Sequence, residues 1–327
     1  MKTLTGQKIV EYIEEHSQAT AKELSEFLNI SPQALFRQLA KLQERGQITK
    51  IGTPPKVFYL PVTKGKEAIL ESTDLTAEER QVIDTQYIHI TPLGEKKEGI
   101  EGFIYWTEKT HQPFHKTAHE YIQAIKKYDK FKDHGLIDAT SKLQNTFEEF
   151  FLDKLYYLDF YSIERFGKTK LGQLLLYAKQ SQNMRLMKEL IAVIEPNLKE
   201  LIVRCNIDAI GFIPPTVKRE TQFMKVLESA LQLNIHKLPI IKIKSEIMVP
   251  QKTLTKLADR IENAQKTMFV DTKTVYNNVL LIDDAVGSGA TLNETAGQIR
   301  RRGLCTGKII GVAITGSLNG FDVISEV

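Results

Sequence analysis

An apolar run that ends in two aspartates and a glycine-rich loop is the feature of this sequence that most constrains its fold. Residues 279–292 read VLLIDDAVGSGATL. The apolar run is typical of a buried parallel strand, and the loop leads directly into an expected helix. In open α/β sheets, ligands bind where such a loop follows the carboxyl end of a strand. The sequence therefore predicts an α/β domain with a mainly parallel, twisted sheet flanked by helices.

The same segment carries the chemical groups of a sugar-phosphate site. Backbone N–H groups in the loop, with the Ser288 and Thr291 hydroxyls, can surround a phosphate with help from the helix dipole. The Asp283 and Asp284 carboxylates can accept hydrogen bonds from two vicinal hydroxyls. A ribose 5-phosphate pocket is predicted; an acidic turn that binds no ligand is the alternative. The predicted ligand-binding residues are Asp283, Asp284, Ala285, Val286, Gly287, Ser288, Gly289, Ala290 and Thr291.

This strand, acidic pair and loop resemble the signature with which type I phosphoribosyltransferases bind 5-phosphoribosyl-1-pyrophosphate (PRPP). Residues 208–223 and 249–269 resemble segments of the competence-associated ComF branch of that family, and 174–190 resembles the helix that opens its domain. The resemblance implies a PRPP-binding domain over residues 161–327. It also implies Mg²⁺ as a cofactor that arrives with PRPP, with no protein side chain nominated as its direct ligand.

The resemblance further implies a basic loop that holds pyrophosphate and a flexible loop that closes over PRPP. For Arg260 and Asn263 the alternative is a polar pair on a helix surface. The chain departs from ComF proteins at 221–224, which reads TQFM where they have Arg-Gly-Phe-Asn, and it lacks their cysteine-rich zinc segment. Efficient turnover is therefore not expected, and no catalytic residue is nominated. The residues implied for the two loops are Lys218, Arg219, Gln251, Lys252, Arg260 and Asn263.

The first 63 residues read as three helices followed by a small β-hairpin. Thr20 and Glu23 form a capping-box pattern that opens the second helix, and Ser31-Pro32 supplies an N-cap and a first-turn proline for the third. This order resembles the winged helix-turn-helix domain of bacterial regulators, which implies that the third helix enters the major groove of DNA. A winged helix used only for protein contacts is the alternative. The residues expected to contact DNA are Ser31, Gln33, Arg37, Lys41, Lys50 and Lys56.

The middle of the chain, residues 64–160, carries no recognised function. A charged helical connection is expected over 64–84, followed by a second hairpin with strands at 86–90 and 100–106. Residues 115–160 have a mostly helical pattern, which includes the aromatic-rich stretch 147–158. Such an apolar stripe is more typical of a core or a subunit interface than of a cofactor site.

Composition excludes several classes of protein. The 44 basic and 40 acidic residues nearly balance, so net charge alone does not decide for or against nucleic acid. Two cysteines cannot form a disulfide framework or a four-cysteine zinc site. No apolar run approaches the roughly 18 residues of a membrane span, and acids interrupt the N-terminal apolar positions as no signal peptide does. A cytoplasmic protein with no membrane partner is expected.

Joining a DNA-binding domain to a PRPP pocket resembles the plan of the purine repressor (PurR) family. The leading hypothesis is therefore a PRPP-responsive DNA-binding transcriptional regulator that forms a homodimer. An active phosphoribosyltransferase is the first alternative, in which a nitrogen acceptor attacks Mg-PRPP and pyrophosphate leaves. The second is a ComF-like factor in DNA uptake or recombination.

Overall fold

A computed structural model describes residues 5–53, 56–62, 75–217, 219–243, 249 and 253–317. The chain divides into two units, which are described one at a time. The first comprises Met1–Arg80 and His89–Thr117, and the second comprises Gln81–Ile88 and Ala118–Val327. Among the described residues, no helix has both the length and the apolar character needed to cross a membrane.

The first unit begins with the predicted winged helix. Its Thr20 side chain accepts from the Glu23 N–H while Glu23 binds the Thr20 N–H at 2.7 Å, so the capping box is confirmed. Ser31 caps the third helix as expected. Ile13, Leu24 and other apolar side chains close a small core between the helices and the hairpin. The elements are α1 (Thr5–His16), α2 (Ala21–Leu28), α3 (Pro32–Glu44), β1 (Ile48–Thr53) and β2 (Lys56–Pro61).

The second predicted hairpin is only half correct. Residues 100–106, expected as a strand, belong to a helix. The β-prone aromatic residues there suggested a strand, but Ile100, Phe103 and Thr107 are buried at helical spacing. Of the connection expected over 64–84, residues 64–74 lie outside the described residues. The elements of this region, which continue into the second unit, are α4 (Ala77–Gln86), β3 (Ile88–Ile90), β4 (Lys96–Glu98), α5 (Gly99–Lys109) and α6 (Phe114–Asp129).

The second unit is built on a seven-stranded sheet, which confirms the α/β class. Its helices are α7 (Thr140–Thr146), α8 (Lys170–Ser181), α9 (Met184–Arg204), α10 (Phe223–Leu231), α11 (Leu257–Thr267) and α12 (Ala290–Arg301). Its strands are β5 (Lys132–Asp133), β6 (Leu136–Asp138), β7 (Lys154–Phe160), β8 (Ser162–Ile163), β9 (Gly167–Lys168), β10 (Ala209–Phe212), β11 (His236–Lys237), β12 (Ile240–Lys242), β13 (Met268–Val270), β14 (Val279–Val286) and β15 (Ile309–Gly316).

The sheet order is β11-β10-β14-β15-β7-β6-β5. The first five strands are parallel, whereas β6 and β5 are antiparallel to their neighbours. From β10 the chain moves outward to β11, and it then returns to place β14 on the other side of β10. Connections that leave in opposite directions open a crevice between the carboxyl ends of β10 and β14, where ligands of open sheets bind.

The aromatic-rich stretch 147–158 is not helical, contrary to expectation. Its end forms β7, which pairs with β15 on one side and β6 on the other. Leu155, Tyr157 and Leu158 are all buried, because a strand inside a sheet that is covered on both faces buries successive side chains. The sheet of the α/β unit thus includes strands that precede Tyr161, the residue at which the predicted PRPP-binding domain begins.

Candidate functional site

Two aspartates occupy the carboxyl half of β14 at the crevice. The Asp283 Oδ1 atom accepts a hydrogen bond from the Asp284 N–H at 2.8 Å, and both residues are half-buried. Loss of solvent around its carboxyl group, and then the neighbouring Asp284 charge, raise the pKa of Asp283 to about 8. Near neutral pH, therefore, Asp283 is largely protonated.

Lys179 of α8 neutralises Asp284. Its Nζ lies 2.6 Å from the Asp284 Oδ2 atom, and only 7% of the residue is exposed. The helix is held at the sheet edge because the Thr169 hydroxyl caps its first turn and donates to the Phe160 carbonyl at 2.7 Å. A Cβ at Gly172 would come within 2.1 Å of a backbone oxygen, so only glycine permits this close approach.

A second lysine reaches the crevice from β12. Lys242 Nζ donates to the Thr216 Oγ1 atom at 3.3 Å, on the loop that follows β10. Burial lowers the pKa of Lys242, while the Asp283 charge opposes that change. Gly211 makes room for this strand, since a Cβ there would lie 2.6 Å from the Ile240 side chain. Lys179 and Lys242 both interact electrostatically with Asp283, each from a different element.

The loop after β14 turns at Gly289, whose φ of 87° lies in the left-handed region. The buried Ser288 Oγ atom accepts a hydrogen bond from the Ala290 N–H at 3.3 Å, while Gly289, the N-cap residue of α12, has no side chain with which to cap the helix. The other N–H groups in the first turn of α12, and the positive end of the helix dipole, thus lie just after the carboxyl end of β14. Ala285 and Val286, which were also predicted ligand contacts, lie within β14 and pair with β15.

The residues implied for the pyrophosphate loop and the flexible loop do not all lie on loops. Arg219 lies half-buried after β10, and Lys218, Gln251 and Lys252 lie outside the described residues. Arg260 and Asn263 lie on helix α11 rather than on a loop. The Arg260 side chain is buried and its Nε donates to the Leu254 carbonyl at 2.8 Å, which makes it a support for the preceding backbone.

Lys179 and Lys242 were not predicted as site residues from the sequence. Lys179 interrupts the buried face of α8, four residues after Leu175 and seven after Gly172. A lysine on an apolar helical stripe is a usable signal, because a buried ammonium needs an anionic partner. Lys242 gives no comparable signal, since its neighbours in β12 are exposed or half-buried.

The residues of this crevice do not fit a divalent metal held by protein oxygen atoms. Metal ligands must be deprotonated, whereas Asp283 favours its neutral form and Asp284 already binds the Lys179 ammonium. In the part of the chain that the structure describes, no group of three or more His, Cys, Asp or Glu side chains could hold a metal ion. No step of the proposed function is therefore assigned to Mg²⁺.

The face expected to read DNA is exposed on α3. Gln33, Arg37 and Lys41 lie on the side opposite the buried Leu35 and its apolar neighbours. The Ser31 hydroxyl instead accepts a hydrogen bond from the Ala34 N–H at 3.3 Å and caps the start of the helix. On the wing, Lys50 is exposed, and the Lys56 side chain lies outside the description.

Comparison with known proteins gave a sequence-family match for the N-terminal part of the chain and a structural match over part of the chain. Residues 3–49 match the winged helix-turn-helix DNA-binding family. The N-terminal domain has the winged helix-turn-helix fold. A crystal structure of adenine phosphoribosyltransferase is similar at 16% identity and a TM-score of 0.28, over 45% of this chain and 78% of that chain. No curated protein matches the sequence.

Proposed function

We propose that this protein is a DNA-binding transcriptional regulator whose α/β unit binds PRPP. One observation carries the ligand assignment: a carboxyl pair, the amino terminus of α12 and two lysines occur together at the strand-order reversal of one sheet. Each group matches a different part of PRPP. Few other ligands combine a monophosphate, vicinal hydroxyls and a diphosphate.

The assignment of ligand groups follows from charge and hydrogen-bonding capacity. The 5-phosphate is assigned to residues 287–291, the loop after β14 and the first residues of α12, where backbone N–H groups and the helix dipole favour a dianion. Asp283 and Asp284 are assigned to the ribose hydroxyls. The diphosphate is assigned to the basic side of the crevice, formed by Lys179, Lys242 and the loop after β10.

The DNA assignment is supported by the family match and by the exposed face of α3. Direct contacts to bases are assigned to Gln33 and Arg37, whose side chains have the donors that major-groove recognition uses. Lys41 and Lys50 are assigned to phosphates, which position a protein without reading sequence. A homodimer is proposed because winged helices commonly bind paired half-sites.

Titration with PRPP tests the ligand assignment. Ligand at about 100 times its dissociation constant is expected to raise the free energy of unfolding by about 2.7 kcal/mol, seen as a higher melting temperature. Asp283→Asn combined with Asp284→Asn should abolish the shift. The matched control is Asp259→Asn combined with Asp271→Asn, which changes two exposed aspartates of the same unit. A flat response of wild-type protein, with and without Mg²⁺, contradicts the assignment.

Two further measurements distinguish the alternatives. Pyrophosphate release from PRPP with a nitrogen acceptor at about one per second or faster would make the protein an enzyme. DNA binding without any sequence preference, on the gene's own upstream region and on unrelated duplexes, would favour a ComF-like role in DNA uptake or recombination.

A further inference from the structure

A buried ammonium group lies beside Asp283 and Asp284, at a position where a pair of carboxylates would ordinarily attract a metal ion. Lys179 Nζ is 2.6 Å from the Asp284 Oδ2 atom, and the side chain is 9% exposed. The lysine enters from α8, which is fixed to the end of β7 through Thr169. This ammonium is therefore a permanent part of the site, positioned before any ligand arrives.

The charges around the crevice sum to a positive value. Lys179 and Lys242 each interact electrostatically with Asp283, and Lys179 also binds Asp284, so the four groups belong to one cluster. The cluster contains two ammonium groups and two carboxyl groups, one of which, Asp283, favours its neutral form near pH 7. The remaining net charge attracts an anion and opposes the approach of a divalent cation.

We propose that Lys179 and Lys242 take the place of a divalent metal in this site, so that the diphosphate group of the ligand binds without Mg²⁺. The inference rests on the proposed PRPP site and specifies how that site neutralises its ligand. Lys179 faces the diphosphate while it holds Asp284, and Lys242 faces it from β12, beside Thr216 of the loop after β10. Free PRPP carries more negative charge than its magnesium complex and is the preferred form.

Calorimetric titration of the full-length protein with PRPP, in EDTA and then in millimolar MgCl₂, tests the proposal. Wild-type protein is expected to bind in EDTA at least as tightly as in MgCl₂. Lys179→Gln is expected to weaken binding in EDTA by about 10- to 100-fold, the usual effect of losing a charged hydrogen bond. Because Lys179→Gln also frees Asp284, MgCl₂ should recover part of that loss. Lys188→Gln, an exposed position on α9, is the matched control and should bind as wild type does.

The possible outcomes separate this inference from the proposed function. Binding of wild-type protein only in MgCl₂ overturns the inference while leaving the PRPP site in place. Absence of binding in both buffers overturns the proposed function itself. Full binding by Lys179→Gln in EDTA also overturns the inference, because the ammonium would then contribute nothing.

A second variant guards against misfolding, since Lys179→Gln leaves a half-buried carboxylate without its partner. Lys179→Gln combined with Asp284→Asn replaces the ion pair by two amides of similar size. This double variant should fold, bind PRPP weakly in EDTA and gain nothing from MgCl₂, because it has neither the ammonium nor the charged carboxylate. Inorganic pyrophosphate in EDTA is a second probe: wild-type protein should bind it, and the double variant should bind it at least about tenfold more weakly.

Discussion

Asp283 shows at the scale of one residue how the site differs from an ordinary acidic turn. Its carboxyl group faces the Asp284 charge on its own strand, Lys179 from α8 and Lys242 from β12. Burial and Asp284 raise the pKa of Asp283 from 3.8 to about 8, and the two lysines only partly offset that change. The folded protein thus holds a proton that the unfolded chain releases above about pH 4.

This difference makes stability depend on pH. Between about pH 4 and pH 8 the folded state binds more protons at Asp283 than the unfolded state, so the free energy of unfolding falls as pH rises through this window. Asp283→Asn imitates the neutral carboxyl and removes this contribution. Urea unfolding at pH 5, 7 and 9 should show the variant close to wild type at pH 5 and more stable than wild type at pH 9. Parallel pH profiles for the two proteins would contradict the raised pKa.

At the scale of elements, α3 has one face for folding and another for binding. Leu35, Leu39 and Leu42 fix the helix in the domain core, while Arg37 and Lys41 are exposed on the far side. Substitution on the exposed face therefore changes binding without changing the fold.

Arg37→Ala combined with Lys41→Ala is expected to weaken DNA binding and to reduce its salt dependence. Removing the Lys41 phosphate contact lowers the slope of log K against log salt by about 0.9. Losing the Arg37 contact to a base weakens binding further. Fluorescence anisotropy with a labelled upstream duplex at several salt concentrations measures both effects. Lys8→Ala combined with Lys22→Ala removes the same charge from exposed positions on α1 and α2 and should retain the wild-type slope. An equal loss in both double variants would show that overall charge, not α3, drives binding.

The loop that precedes α12 depends on one backbone conformation. Gly289 has a φ of 87°, and a Cβ there would also lie 3.2 Å from the Leu143 side chain. Gly303 has a similar φ of 63° with no atom within 4 Å of an added Cβ. Both substitutions to alanine should destabilise the fold by about 1 kcal/mol, because left-handed backbone is costly for alanine.

Only Gly289→Ala should also weaken PRPP binding, since it displaces the loop that the phosphate contacts. Thermal unfolding gives the stability of each variant, and titration with PRPP gives its affinity. If Gly303→Ala weakens binding as much as Gly289→Ala, the effect comes from general destabilisation and not from the loop.

At the scale of the whole molecule, one chain is proposed to bind both DNA and PRPP. If PRPP changes the affinity for DNA by some factor, DNA must change the affinity for PRPP by the same factor. Typical couplings of this kind are about 1–3 kcal/mol. The reciprocity allows one coupling energy to be measured in two independent ways.

PRPP is accordingly expected to alter DNA affinity by about 5- to 150-fold. Anisotropy with the upstream duplex at zero and saturating PRPP measures the first factor, and PRPP titration with and without duplex measures the second. Asp283→Asn combined with Asp284→Asn should retain DNA binding but lose the response to PRPP. Equal DNA affinity at zero and saturating PRPP, across several salt concentrations, would show that the two sites are uncoupled.

Local signals in the sequence determined the winged helix and the strand-loop-helix around β14. Thr20 with Glu23, Ser31 with Pro32, and Gly289 each fix the backbone through groups only a few residues away, so their meaning does not depend on the rest of the fold. The α/β class and the position of the acidic pair follow from the same short segments.

Only the tertiary structure decided that α5 is a helix, that β7 is a strand and which side chains meet in the crevice. The apolar runs in α5 and β7 suit either a helix or a strand, and packing against distant elements selects between them. Lys179 reaches Asp284 across 105 positions of sequence, because parallel strands and their crossover helices bring remote segments to one sheet edge. A sequence pattern can mark a buried lysine, but the identity of its partner depends on how the whole sheet is ordered.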